Sequence, residues 1–209
     1  MNLIPFPTLC LVTNRTINRE MNFEDAIESA VNGGIDIVQL REKDLPPEDL
    51  LVLASRLRKI TLGKAKLFVN GNLEVALKAG ADGIHLPQES IPVSEVRRSV
   101  PDDFIIGKSA HDNESAVSAA REGVDYILLG TIFPTDSKPD AETGGIDRIR
   151  NACAKVKCPV LAIGGINPEN IKSVIAAGAH GAAVSGAILT ARDPKFAAIQ
   201  LRSNCHNLV

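Results

Sequence analysis

Gln39, Arg41 and Lys43 stand two residues apart, so in an extended chain an amide and two cations share one side while Leu40 and Glu42 take the other. A planar Arg fork beside a compact Lys charge suits a phosphate or diphosphate. If that side faces the lumen of a barrel, the trio converges on its mouth. Otherwise it is a solvated basic strand end paired with Glu42 and Asp44. Later, Gly164-Gly165 leads into a helical stretch, and Val184-Ser185-Gly186 makes a second small-residue turn. Turns of this kind let an anion approach backbone N–H groups at a helix start. The competing reading is two tight turns that need glycine for geometry alone. His111 follows Lys108-Ser109-Ala110, and imidazole is the side chain best matched to proton transfer near neutral pH, although a loop His can also simply order backbone. His85, inside an apolar run, reads as a satisfied core or mouth residue. No spacing of Cys or His suits a metal, and Cys10, Cys153, Cys158 and Cys205 read as reduced and structural.

A four-fold repeat points to the elements that position these groups. Gly34-Ile35-Asp36, Gly80-Ala81-Asp82, Gly123-Val124-Asp125 and Gly178-Ala179-His180 each follow a helical stretch and precede an apolar one. Their glycines lie 46, 43 and 55 residues apart, about two βα units each, so the repeat marks every second of eight strands. The glycine closes the preceding helix in the left-handed conformation. Alternation and β-branched runs place strands at Thr8–Thr13, Ile35–Arg41, Lys66–Asn70, Gly83–Leu86, Ile105–Ser109, Tyr126–Gly130, Val160–Ile163 and Ala182–Ser185. Amphipathic helices fall at Phe23–Val31, Pro47–Arg58, Leu73–Lys78 and Glu114–Glu122. The expected fold is α/β, a single (β/α)8 TIM barrel forming one domain over residues 1–209. The irregular stretch Phe133 to Gly145, after the sixth strand, is the natural lid.

With 209 residues, 44% of them hydrophobic, the chain can bury one good core, and a net charge of −2 gives no footprint for nucleic acid or an anionic membrane. The run Met1 to Val12 lacks a basic start and flows into the first strand, so a soluble, cytoplasmic protein is expected.

Taken in order, Leu11-Val12-Thr13, Val38-Gln39-Leu40-Arg41-Glu42-Lys43, Asp82-Gly83-Ile84-His85-Leu86, Ser109-Ala110-His111, Phe133-Pro134-Thr135-Asp136-Ser137-Lys138, Ala162-Ile163-Gly164-Gly165-Ile166 and Val184-Ser185 resemble the thiamine phosphate synthase and TenI superfamily over nearly the whole chain. The resemblance implies that Gln39, Arg41, Lys43, Asn70 and Lys138 meet a diphosphate or pyrimidine. It implies that Thr135, Ser137, Gly165 and Val184-Ser185 hold a thiazole phosphate. Ser109, Thr131, Gly164 and Gly186 complete the candidate binding set, and His111 and Lys138 are the candidate catalytic residues. A synthase joins an aminopyrimidine methyl diphosphate to a thiazole phosphate through a cation-like intermediate, and its departing pyrophosphate calls for Mg2+.

Where the family places two metal-binding Asp residues, this chain has Gly71 and Ser90, and alternation turns the neighbouring Glu89 to a different side. Asn70-Gly71 and Leu86-Pro87 look like the TenI branch, which includes metal-independent thiazole tautomerases, although Thr131 stands where one such enzyme type carries a catalytic His. The expectation is therefore an isomerase of a thiazole phosphate that needs no cofactor or metal. Its alternatives are a synthase with an altered Mg2+ site, which the cation trio favours, and a non-catalytic phosphate-ligand binder or regulator. A homodimer is implied by the resemblance alone.

Overall fold

Short apolar strands alternating with amphipathic helices close here into a ring. The computed structural model describes residues 4–17 and 20–206, so the first residues of the Met1–Val12 run and the side chain of His206 lie outside the described residues. Eight parallel strands pair in sequence order and the last pairs with the first: β1 (Thr8–Val12), β2 (Ile37–Leu40), β3 (Lys66–Asn70), β4 (Gly83–Leu86), β5 (Ile105–Ala110), β6 (Tyr126–Leu129), β7 (Val160–Ile163) and β8 (Gly181–Val184). Outside them run α1 (Phe23–Asn32), α2 (Pro47–Thr61), α3 (Leu73–Lys78), α4 (Val93–Arg97), α5 (Asn113–Arg121), α6 (Gly145–Cys153), α7 (Ile171–Ala176), α8 (Gly186–Leu189) and α9 (Pro194–His206). This is a (β/α)8 barrel, as expected.

Strand alternation divides the core in two. Leu9, Leu11, Val38, Leu40, Leu67 and Val69 pack outward against the helices, whereas Cys10, Val12, Ile37, Phe68, Ile105, Tyr126 and Leu161 fill the lumen. Tyr126 is fully buried there and stacks on Phe68, with ring centroids 5.6 Å apart. Gly107 makes room for it: a Cβ on that residue would lie 2.1 Å from the Tyr126 ring. These side chains fill the lower lumen, and a cavity lies at the C-terminal ends of the strands.

The repeated Gly-x-Asp acts at the opposite end. All four repeat glycines have positive φ, between 63° and 103°, as expected of a helix-closing position. Each Asp then accepts a backbone N–H from the strand before its own. Asp36 takes Leu9 N, Asp82 takes Leu67 N and Asp125 takes Ile106 N, each at 2.7 Å. An Arg covers each carboxylate from outside: Arg202, Arg58 and Arg97 respectively. The fourth copy differs, since His180 Nε2–H donates to the Pro5 carbonyl at 2.9 Å, across the closure between β8 and β1.

Five strands start or stop differently from expectation, three of them by one residue at the C-terminal end: β1 stops at Val12 rather than Thr13, β5 at Ala110 rather than Ser109, and β6 at Leu129 rather than Gly130. β2 is Ile37–Leu40 rather than Ile35–Arg41, because the Arg41 N–H leaves the ladder for the Thr13 hydroxyl. β8 is Gly181–Val184 rather than Ala182–Ser185, because Ser185 already turns the chain into α8.

Candidate active site

The mouth encloses a cavity of about 750 Å³, and every candidate residue read from the sequence lines it. On the β2 side, Gln39 forms part of the floor. It is only 1% exposed, yet neither its amide oxygen nor its nitrogen has a hydrogen-bond partner. It lies close enough to the Tyr126 hydroxyl to bias that group's ionisation but lacks the geometry of a hydrogen bond. Buried polar groups are nearly always satisfied, so an orphaned amide facing a cavity is what a ligand-binding group looks like before its ligand arrives.

Above Gln39, Arg41 and Lys43 turn into the cavity. The alternative reading paired them with Glu42 and Asp44, and both acids are otherwise engaged. The Thr13 hydroxyl donates to Glu42 Oε1 at 2.6 Å, the Arg15 N–H donates to the same carboxylate, and the Arg15 guanidinium pairs with Asp44. Arg41 and Lys43 have no ion pair among the described residues. Lys138 reaches the same space from the loop after β6. Burial first, and then the charges of Arg41 and Lys43, hold its ammonium below the ordinary lysine range. All three cations line this one cavity, where their charges act on one another.

The floor continues through β4, β5 and β6. His85 is buried and bonded at both nitrogens, Nδ1 with the Tyr126 hydroxyl at 2.9 Å and Nε2 with the Ser109 hydroxyl at 2.8 Å. Burial, assisted by the charge of Arg41, lowers its pKa from 6.5 to about 3, so the ring is neutral at physiological pH. It is the satisfied residue expected, and it fixes the Ser109 hydroxyl at the cavity wall. His111 is exposed at the rim. Its Nδ1–H donates to the Gly130 carbonyl at 2.9 Å, which leaves Nε2 as the acceptor of the neutral ring. Asn70 lines the wall at the end of β3, and Thr131, just after β6, is 7% exposed.

On the far wall, the turns after β7 and β8 meet the loop after β6. The Phe133 N–H donates to the Gly164 carbonyl at 3.0 Å. Gly165 has φ 62°, and a Cβ there would lie 2.3 Å from the Pro134 carbonyl oxygen. This glycine is therefore required by packing, which supports the geometric reading of that turn. Gly186 is different, because nothing lies within 4 Å of where its Cβ would be. Its open side and the orphaned, buried Ser185 hydroxyl both line the cavity. Val184 completes this wall, and Thr135 and Ser137 cap it from the loop. Sequence reasoning missed Gln88, Asn14 and Asp136 as lining residues. The Gln88 amide oxygen is another buried orphan, and its place just past β4 was the only signal that could have found it.

The donor set does not fit Mg2+. Gly71 has no side chain to offer, and Ser90 is exposed with its hydroxyl turned to the Ile91 carbonyl. Glu89 is exposed and does not line the cavity, as alternation anticipated. Asp136 is the one carboxylate among the lining residues, and no group of three or more His, Cys, Asp or Glu suited to a metal occurs among the described residues.

Residues 9–188 match the family described as thiamine monophosphate synthase. A thiamine-phosphate synthase of Methanoculleus marisnigri is 46% identical over 196 residues, covering 93% of each chain. One of Clostridium acetobutylicum is 40% identical over 188 residues, 90% of this chain and 89% of that one. Among solved structures, a thiamine phosphate pyrophosphorylase from Pyrococcus furiosus superposes with a TM-score of 0.88 at 32% identity, over 100% of this chain and 98% of that one. These relatives carry the synthase name and give no support to the isomerase branch. With the barrel, the cation cluster and the glycine turns in the expected places, the chain belongs to the thiamine monophosphate synthase family.

Proposed function

We propose that this protein is a thiamine-phosphate synthase of thiamine biosynthesis, joining an aminopyrimidine methyl diphosphate to a thiazole phosphate with release of pyrophosphate. The observation that carries this reading is the cluster of Arg41, Lys43 and Lys138, turned into the cavity without a carboxylate partner among the described residues. An isomerase of a thiazole phosphate needs one phosphate site and an acid/base, and would leave this cluster without a task. The relatives favour the same choice.

In this reading the diphosphate lies against Arg41, Lys43 and Lys138, and the thiazole phosphate against the Ser185 hydroxyl and the open side of Gly186. Thr135 and Ser137 close over it from the loop. Gln39 and the Ser109 hydroxyl, held by His85, present fixed polar groups to the pyrimidine. Breaking the bond between the pyrimidine methylene carbon and the diphosphate oxygen puts negative charge on the leaving group, and cations fixed beforehand stabilise that charge without reorganising. The thiazole nitrogen lone pair then forms the new C–N bond. No proton need be abstracted for this step, so His111 becomes a rim residue rather than the base.

The test is pyrophosphate release by the purified protein, assayed with both substrates and with each alone, in Mg2+ and in EDTA. Release that requires both substrates is expected. Interconversion of thiazole phosphate tautomers with no pyrophosphate release in either buffer would refute the proposal.

A further inference from the structure

The mismatch between the family's metal and this mouth is itself informative. At Gly71 the backbone is left-handed, with φ 75°, and the only atoms within 4 Å of a built Cβ belong to Pro87, at 3.9 Å. Space for a short side chain is open there, so crowding does not account for the missing acid, although the left-handed backbone itself favours glycine. Glu42, a buried carboxylate just after β2, does not line the cavity and is satisfied by Thr13 and Arg15. Asp136 on the β6 loop is exposed and stands two residues from Lys138. Against that one negative charge the cavity sets Arg41, Lys43 and Lys138. A pyrophosphate ion carries about as much negative charge as this cluster carries positive, so the two neutralise one another without a third ion.

We propose that this chain holds and releases diphosphate as the metal-free anion, with Arg41, Lys43 and Lys138 supplying the positive charge that Mg2+ supplies elsewhere in the family. The proposal rests on the synthase reading and adds to it that turnover does not depend on a divalent cation. The chemistry balances without one. The C–O bond breaks with its electron pair leaving on pyrophosphate, and the thiazole nitrogen donates the pair of the new C–N bond. Repulsion within the cluster supports the idea from the other side, because burial and the Arg41 and Lys43 charges disfavour the Lys138 ammonium until an anion compensates them.

The decisive experiment is calorimetric titration of inorganic pyrophosphate into the full chain, once in EDTA and once in millimolar Mg2+. Saturable binding in EDTA is expected, with no tightening by Mg2+. Lys138→Met should weaken binding in EDTA by about tenfold or more, the loss of one charge-assisted contact. Lys59→Met, an exposed change on α2, should leave it unaltered. Binding only in Mg2+, tightening by Mg2+ of about tenfold or more, or indifference to Lys138→Met would each overturn the proposal. Turnover separates this failure from failure of the synthase reading. Two-substrate pyrophosphate release that needs Mg2+ keeps the synthase and removes the metal-free mechanism; absence of release in both buffers removes the synthase, while pyrophosphate binding still decides how the anion is held. In Gly71→Asp/Ser90→Asp, a Mg2+ response absent from the parent should appear.

Discussion

Acid should destabilise this barrel through His85, in a pH range the structure sets. The folded protein holds the ring neutral with a pKa of about 3, against 6.5 for the free side chain, and burial is the main cause. A lowered folded pKa means that the unfolded chain binds the proton first. The stability contributed by His85 is therefore whole above about pH 6.5 and is lost progressively as pH falls toward 3. Between pH 6.5 and 4.5 this linkage amounts to about 2 kcal/mol, since the slope reaches its full value of about 1.4 kcal/mol per pH unit only below the unfolded pKa. For a chain of this length that is a fall in Tm of about 4–8 °C. Thermal unfolding followed by circular dichroism should be recorded across this range for the parent and for His85→Gln. The Gln variant keeps an amide to meet the hydroxyls of Tyr126 and Ser109 but cannot titrate. Its own baseline stability is irrelevant, because the linkage lies in the difference between the two slopes. Parallel curves would refute the assignment of a buried, neutral His85.

Three further outcomes are expected. Arg41→Ala should weaken pyrophosphate binding by about 1.5–3 kcal/mol, roughly 10- to 150-fold by calorimetry, with little change in Tm. Gly165→Ala combines a positive φ with a Cβ 2.3 Å from the Pro134 carbonyl, so it should displace the loop carrying Thr135, Ser137 and Lys138. A kcat/KM for the thiazole substrate matching the parent would contradict that. Asp82→Ala strands the Leu67 N–H and frees Arg58 at the far end of the barrel. It should cost about 1–3 kcal/mol in urea unfolding, while turnover per folded molecule stays unchanged.

The barrel was legible because its signals are local. A helix-closing glycine, an acid and a β-branched run lie within a few residues of one another, and alternation alone placed Gln39, Arg41 and Lys43 on one side of the strand, inner or outer. What was not legible depends on partners distant in the chain. Glu42 and Asp44 resemble counterions for the trio until Arg15 and Thr13, 27 to 29 residues earlier, are seen to take them. The bonding of His85 depends on Tyr126, 41 residues later. The repeated Asp marked strand starts, but its acceptor role needs a neighbouring strand's N–H. The orphaned atoms of Gln39, Gln88 and Ser185 emerge only when every hydrogen bond around them has been assigned. The choice between isomerase and synthase rested on two absent acids, whereas the placement of three cations points the other way.

The carboxylate ties at the base of the barrel bear on how the chain folds while it is being made. Asp36, Asp82 and Asp125 each fasten a strand to the one just before it, over 27, 15 and 19 residues. Short loops of this kind close at small entropic cost, so each tie can form soon after its second strand emerges from the ribosome. The fourth copy spans 175 residues, from His180 back to Pro5. That joint, like the Arg202 cover over Asp36, must wait for nearly the whole chain. A nascent chain stalled before residue 180 would hold three fastened strand pairs and an unjoined edge, and that edge is where a truncated product would recruit a second copy of itself.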